Sequence, residues 1–341
     1  MAFSLSKSPH TMSLHKTPIA AALLAAVLFQ LPSAQAQSPV QPQADVPGHV
    51  MPQQAGGYRM RVGNVQVTAL TDGTVPVDVR SLLRGATPQD IDRLLARNFE
   101  HSPIEVSINA FLIELPGHWV LVDTGVGQLF GPGKGGRLLD SLAAQGLHPQ
   151  DVTDVLLTHA HSDHSGGLVK DGQRVLPNAE VYVGKPDVDF FFDESNQKKT
   201  GYDQHYFDIA QLTLKPYMEA GKLKTFTGTE QVLPGITATV HPGHTPGAAF
   251  YRLDSAGESI TFVGDLAHAA AVQFPEPGVT IAFDEDQARA AEVRKTQFAA
   301  FARDRTLIAA PHLPFPGIGH VRPAGGGYDW VPVTYTNRQE K

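Results

Sequence analysis

Thr158-His159-Ala160-His161-Ser162-Asp163-His164-Ser165-Gly166-Gly167 sets four side chains able to bind a metal within six residues, directly behind the apolar run Val155-Leu156-Leu157. In extended backbone, residues i and i+2 point to the same side, so His159 and His161 offer two imidazoles to one ion from a strand end. Asp163 and His164 fall in the next turn, where the chain changes direction, and can face a second point nearby. Gly166 and Gly167 let the backbone pass close to whatever is bound. A lone histidine in a polar turn is ordinarily a surface residue. Three histidines and an aspartate at this spacing, behind a strand of buried type, form a donor set that zinc-type ions select.

The remaining composition narrows the chemistry. The 341 residues suffice for one large α/β domain or two smaller ones. There is no cysteine, which excludes disulfides and thiolate sites and leaves His and carboxylate as metal donors. Lys7 and Lys16 precede an apolar segment over residues 19–31, followed by Ala34-Gln35-Ala36. That order of charged, apolar and small residues predicts a signal peptide over 1–36, cleaved after Ala36, and a periplasmic or secreted mature protein. Met12 would start a more compact signal. The apolar segment is short for a membrane span, so no anchor is expected in the mature form. Beyond residue 36 there are 25 Lys and Arg against 34 Asp and Glu, a net charge of −9. Such a chain, lacking a basic run, is a poor candidate for binding nucleic acid.

Residues 37–57, rich in Pro, Gln and Gly, read as a flexible linker ahead of a domain over 58–341. Gly63-Asn64 between Val62 and Val65 predicts a hairpin, and Thr87-Pro88 opens a helix running to residue 100. Strands are expected over 104–115 and 119–122, a helix over 138–145, and a strand over 181–183. Helices over 186–199 and 202–220 carry Phe190, Phe191, Phe192, Tyr202, Tyr206, Phe207 and Tyr217, which read equally as core or as the wall of a pocket for a flat apolar substrate. A helix over 284–304, with Ala288, Ala291, Phe298 and Phe301 on its apolar side, would cover the sheet. The glycine-rich stretch 131–136 lacks the Gly-Lys-Ser/Thr ending of a phosphate-binding loop. Three further candidate ligands follow predicted strands: His244 after 236–240, Asp265 after 260–263, and His312 after 307–310. That is the end at which open α/β sheets place their ligands.

The segment His159-Ala160-His161-Ser162-Asp163-His164 resembles the HxHxDH signature of the metallo-β-lactamase fold hydrolases, and Gly243-His244-Thr245-Pro246-Gly247 is similar to that superfamily's GHTPG motif. The resemblance implies an α/β, αββα sandwich of two mixed sheets flanked by helices. It assigns His159, His161 and His244 to one metal, Asp163, His164 and His312 to a second, and Asp265 to both. His244 rather than His241 is then the ligand, and Asp123, at the end of a strand, is structural. Two Zn2+ ions are the first choice for so nitrogen-rich a site, with Mn, Fe or Co able to use the same donors. A single-iron dioxygenase, the redox branch of the superfamily, fits seven ligands less well. The expected reaction is hydrolysis by a hydroxide shared between two metals about 3.5–4 Å apart, with Asp163 and Asp265 the catalytic carboxylates. No separate general acid is evident, which suits leaving groups that depart as stabilised anions.

A narrower resemblance exists. Leu121-Val122-Asp123-Thr124-Gly125, Leu129-Phe130-Gly131-Pro132, Ala270-Ala271-Val272-Gln273-Phe274 and Phe315-Pro316-Gly317-Ile318-Gly319-His320 look like the exported methyl parathion hydrolase group. By that resemblance Phe130, Phe191 and Phe207 line an aromatic wall, and Arg80, His268 and Phe283 border the leaving group. A homodimer is also implied. Efficient phosphotriesterases of the group carry smaller aliphatic residues where this chain has His268 and Phe283, so a planar lactone or aryl ester is the expected substrate, with aryl phosphotriesters as a side activity. One alternative makes the phosphotriesterase activity primary. Another, of a different class, is a non-catalytic metal-binding protein on the same scaffold.

Overall fold

Gly63 and Asn64 turn the chain between β1 (Gly57–Val62) and β2 (Val65–Val77), which pair antiparallel with Val62 opposite Val65. The expected hairpin is there because Gly63 takes a φ of 55°, open to a residue without Cβ. β3 (Ile104–Leu115) and β4 (His118–Val122) continue the sheet antiparallel. β5 (Asp154–Leu156), β6 (Glu180–Gly184) and β7 (Leu223–Phe226) then add parallel strands. A second mixed sheet holds β8 (Thr229–Leu233), β9 (Ile236–Val240), β10 (Ala249–Ser255), β11 (Glu258–Phe262), β12 (Ile308–Ala309), β13 (Ile318–Ala324) and β14 (Gly327–Pro332). In both sheets the strands lie side by side in chain order. The computed structural model describes residues 56–336; the expected signal over 1–36, and the linker up to residue 55, lie outside them.

Period-two alternation along β3 explains the layering. Phe111 and Ile113 face Tyr251, Ile260 and Phe262 of the second sheet, while Ala110 and Leu112 face the helices outside. Those helices are α1 (Pro88–Arg97), α2 (Leu138–Ala143), α3 (Ser162–Ser165), α4 (Lys185–Phe191), α5 (Glu194–Thr200), α6 (Gln204–Glu219) and α7 (Gln287–Asp304). Leu138 and Leu142 of α2, Phe190 and Phe191 of α4, and Phe207 and Leu214 of α6 cover the first sheet. Phe298 and Phe301 of α7 cover Phe250, Ile308 and Val321 of the second. The result is the αββα sandwich the motifs implied. Among the described residues no helix is long and apolar enough to cross a membrane.

Two expectations need correction. The helix expected over 186–199 is two helices, because Asp193 accepts a hydrogen bond from Ser195 N and so caps a new start. Asp203 does the same for α6 through His205 N, which leaves Tyr202 in the turn before that helix. On α7 the buried face is Ala290, Arg294, Phe298 and Phe301, whereas Ala288 is exposed. Arg294 was counted as polar in the pattern. It is buried because carbonyls of Leu266 and Val279 accept its N–H groups, which shifts the phase of the stripe.

Phe111 and Phe262 meet across the two sheets with ring centres 5.3 Å apart. Phe111→Ala should therefore destabilise the fold by roughly 3–5 kcal/mol, read as a lower denaturant midpoint at unchanged m-value.

Candidate metal centre

Four strand ends deliver the candidate ligands to one edge of the sandwich. The chain leaves β5 extended through Thr158 to His161, then coils into α3, which carries Asp163 and His164. β9 leads to His244, β11 to Asp265 and β12 to His312. Gly264 allows the approach of Asp265: its φ is 51°, and a Cβ there would lie 2.9 Å from Thr158 Cβ.

Asp265 stands between two nitrogen clusters. Its Oδ2 lies 3.1 Å from His244 Nε2 and 3.7 Å from His159 Nε2, and His161 Nδ1 is 3.0 Å from His244 Nε2. Its Oδ1 lies 3.1 Å from both His164 Nε2 and His312 Nε2. Asp163 Oδ2 is 3.3 Å from His312 Nε2. The donor atoms of His159, His161, His244 and Asp265 all lie within 4.8 Å of one another, as do those of Asp163, His164 and His312. Six of the seven residues are buried, and Asp163 alone retains side-chain exposure, 20%.

Whether these residues suit divalent cations can be tested on the donors themselves. His159 Nε2, His164 Nε2, His312 Nε2 and Asp265 Oδ1 are buried without a hydrogen bond. Buried polar atoms left so are costly unless something else satisfies them, and four imidazole and carboxylate donors around each of two points, with Asp265 shared, are what zinc-type ions take. The outward nitrogens, by contrast, are tied down: His164 Nδ1 to Asp123 at 2.9 Å, His244 Nδ1 to Asp284 at 2.8 Å, His312 Nδ1 to the carbonyl of Ser107 at 2.9 Å, and His161 Nε2 to Tyr202 Oη at 2.8 Å. Such partners fix tautomer and ring orientation. Asp123 also accepts from Thr158 N at 2.8 Å, in keeping with its structural reading. Asp187, fully buried, accepts from Ala160 N at 3.0 Å and Gly247 N at 2.6 Å and so clamps the two ligand loops together. Burial pushes its carboxyl up to about 6.

Electrostatics favour the same arrangement. Burial opposes ionisation of Asp265, but the surrounding histidines, His164 foremost, hold its carboxyl well below the usual range. Burial foremost, with the neighbouring histidines adding to it, pulls His159 and His161 well below theirs, which keeps lone pairs available. For His244 and His312 burial acts downward too, but the Asp265 carboxylate overrides it and holds them up to about 9 and about 10.

The residues expected around a substrate divide. His268 is buried, with Nε2 2.9 Å from Asp265 Oδ2 and its ring stacked on His312 at 4.9 Å; its backbone N–H is held by Gln273. Phe283 is half-buried, its ring 5.8 Å from that of His268. Phe130 packs half-buried on the cluster around Val126 and Val272. Phe191 and Phe207 are 0% and 1% exposed within the core, so neither presents a surface that a bound molecule could touch. Arg80 is exposed and pairs with Asp92 at 3.4 Å; among the described residues no hydrogen bond or ion pair joins it to the histidines. Tyr206, 4.6 Å from His161, and Tyr202, 6.2 Å from it, lie against the centre, while Phe191 backs the same ring from the core at 6.3 Å. Asp284, Asp187 and Tyr202 were not singled out from the sequence as site residues. Only Asp193 and Asp203, the N-caps that start the neighbouring helices, pointed to Tyr202.

Residues 103–312 match the model of the metallo-beta-lactamase superfamily. The chain belongs to that superfamily. Among solved structures it is similar to AbOPH, a hydrolase of the beta lactamase superfamily, with 37% identity, a TM-score of 0.79, and cover of 84% of this chain and 100% of that one. It is also similar to AidC, a dizinc quorum-quenching lactonase, with 28% identity, a TM-score of 0.77, and cover of 83% and 99%. A ribonuclease of Thermus thermophilus is 28% identical over 193 residues, 51% of this chain and 38% of that protein. The chain spans 17% and 38% of the lengths of the first two curated relatives it matches. All seven candidate ligands fall inside the matched segment.

Asp163→Ala and His312→Ala should each lower metal stoichiometry, measured by elemental analysis, together with turnover; full loading with unchanged kinetics would contradict a two-cation centre. Because His244 and His312 are held protonated at neutral pH, a cation that ligates them must displace their protons. Titrating zinc into chelator-treated protein in buffers of different ionisation enthalpy should reveal proton release, and affinity should fall as pH falls.

Proposed function

We propose that this hydrolase is a dizinc enzyme that cleaves lactones or aryl esters, with side activity on aryl phosphotriesters. The observation that carries the proposal is the split of Asp265, one oxygen toward each nitrogen cluster, beneath a wall formed by His268 and Phe283. Likeness to a lactonase along nearly its whole length supports the substrate class.

His159, His161, His244 and Asp265 would hold one cation, and Asp163, His164, His312 and Asp265 the other. Two such cations supply an activated water and Lewis-acid stabilisation of charge on the substrate oxygen. The chain's own residues do the rest. Burial opposes ionisation of Asp163, but His164 and His312 hold it well below the usual range. It therefore stays a carboxylate at the exposed lip of the site, able to take the proton of the attacking water. His268, against Asp265 and His312, and Phe283 beside it would narrow the space next to the ligands, which favours a planar acyl group over a tetrahedral phosphoryl group. Departure as a phenolate or enolate requires no further acid.

The second reading makes aryl phosphotriesters the primary substrates; it rests on the likeness of the stretches around Asp123, Phe130, Val272 and Gly317 to the methyl parathion hydrolase group. The non-catalytic alternative requires a gap in the donor set, and none of the seven positions is substituted. Ranking kcat/KM for dihydrocoumarin, p-nitrophenyl acetate and an aryl phosphotriester on metal-verified protein should put the lactone or ester first. A phosphotriester at the head of the ranking would reverse the proposal.

Export is proposed on the order of charged, apolar and small residues over 1–36. Mass spectrometry of protein from its native host should find an N-terminus at Gln37, and an intact residue 1 or 12 in the accumulated protein would overturn that.

A further inference from the structure

The hydroxyl of Tyr202 sits between two partners, His161 Nε2 at 2.8 Å and the backbone carbonyl oxygen of Phe283 at 2.7 Å. A hydroxyl has one hydrogen to give, and a carbonyl oxygen can only accept. Were Tyr202 to give its hydrogen to His161, two oxygens bearing lone pairs would face each other at 2.7 Å with nothing between them. That separation is the ordinary length of an O–H···O hydrogen bond. The hydrogen therefore goes to Phe283, and Tyr202 Oη must accept from His161. Nε2 then carries the ring proton and Nδ1 is left with its lone pair. Nδ1 is the nitrogen that lies 3.0 Å from His244 Nε2, on the side of the ligand cluster.

We propose that Tyr202 is a positioning residue that locks His161 in the tautomer able to bind a cation through Nδ1, using the Phe283 carbonyl to set the direction of the hydrogen bonds. The surroundings are built for it. Tyr202 stacks on Tyr206 at 4.5 Å and 16°, and Tyr206 backs the His161 ring at 4.6 Å. Asp203, by capping α6, and Gly201, with a φ of 71°, hold Tyr202 in the turn from which its hydroxyl reaches inward. The outward nitrogens of His164, His244 and His312 find a carboxylate or a carbonyl directly, and His159 Nδ1 meets the Thr158 hydroxyl at 3.2 Å; His161 reaches a carbonyl through this relay. The inference is independent of which ester the enzyme cleaves.

The test uses 15N-histidine-labelled full-length protein, with and without zinc, and the variant Tyr202→Phe, which deletes only the hydroxyl. In the parent protein, the ring 15N shifts of His161 should show Nε2–H in both the zinc-depleted and zinc-loaded forms. In Tyr202→Phe the zinc-depleted form should populate the Nδ1–H tautomer, and zinc should be lost to a competing chelator about 10-fold or more readily. The proposal is overturned if His161 of the zinc-depleted parent carries its proton on Nδ1, a result that does not depend on the variant folding. It is overturned equally if Tyr202→Phe keeps both tautomer and zinc affinity, even with a lower melting temperature, since the residue would then be merely structural.

Discussion

The two oxygens of Asp265 face in different directions, one toward His159 and His244, the other toward His164 and His312. A carboxylate buried in this way is costly on its own, and only the histidines around it make its charge tolerable. They in turn need it, since the inward nitrogens of His159, His164 and His312 are buried and lack hydrogen bonds. This mutual requirement explains why four separate strand ends must arrive at one place. Displace any of them, and charge or lone pairs are left buried without a partner.

The scaffold meets that requirement by fastening each ligand from outside. Asp123, Asp284, the Ser107 carbonyl and Tyr202 take the outward nitrogens, and Asp187 binds the His159–His164 loop to the His244 loop. Behind Asp284 lies Arg294 of α7, buried with its guanidinium spread over the carbonyls of Leu266 and Val279. A helix that on pattern alone only covers a sheet thus also holds the backbone beside Asp265. Fixing rings before a cation arrives spares the centre the cost of ordering them afterwards.

Much of the fold and of the ligand set was legible in the chain. His159, His161, Asp163 and His164 are neighbours in sequence, so extended-chain geometry suffices to group them. His244, Asp265 and His312 each follow a short apolar run, and strand ends in open sheets are where such residues gather. The surroundings were less legible. Phe191 and Tyr202 belong to one aromatic stretch, and which of them faces the centre turns on two aspartate caps that break the expected helices. Arg294 hid because pattern reading counts charge as outward.

Local sequence therefore determined the donor types, their number, and the strand ends that carry them, because those depend on residue chemistry and short-range backbone periodicity. Only the tertiary structure decided which nitrogen of each histidine points inward and which aromatic rings border the centre. It also decided that Asp265 divides its oxygens between two clusters. Those outcomes depend on hydrogen bonds between residues 40 to 205 positions apart, whose partners nothing in the neighbouring sequence specifies.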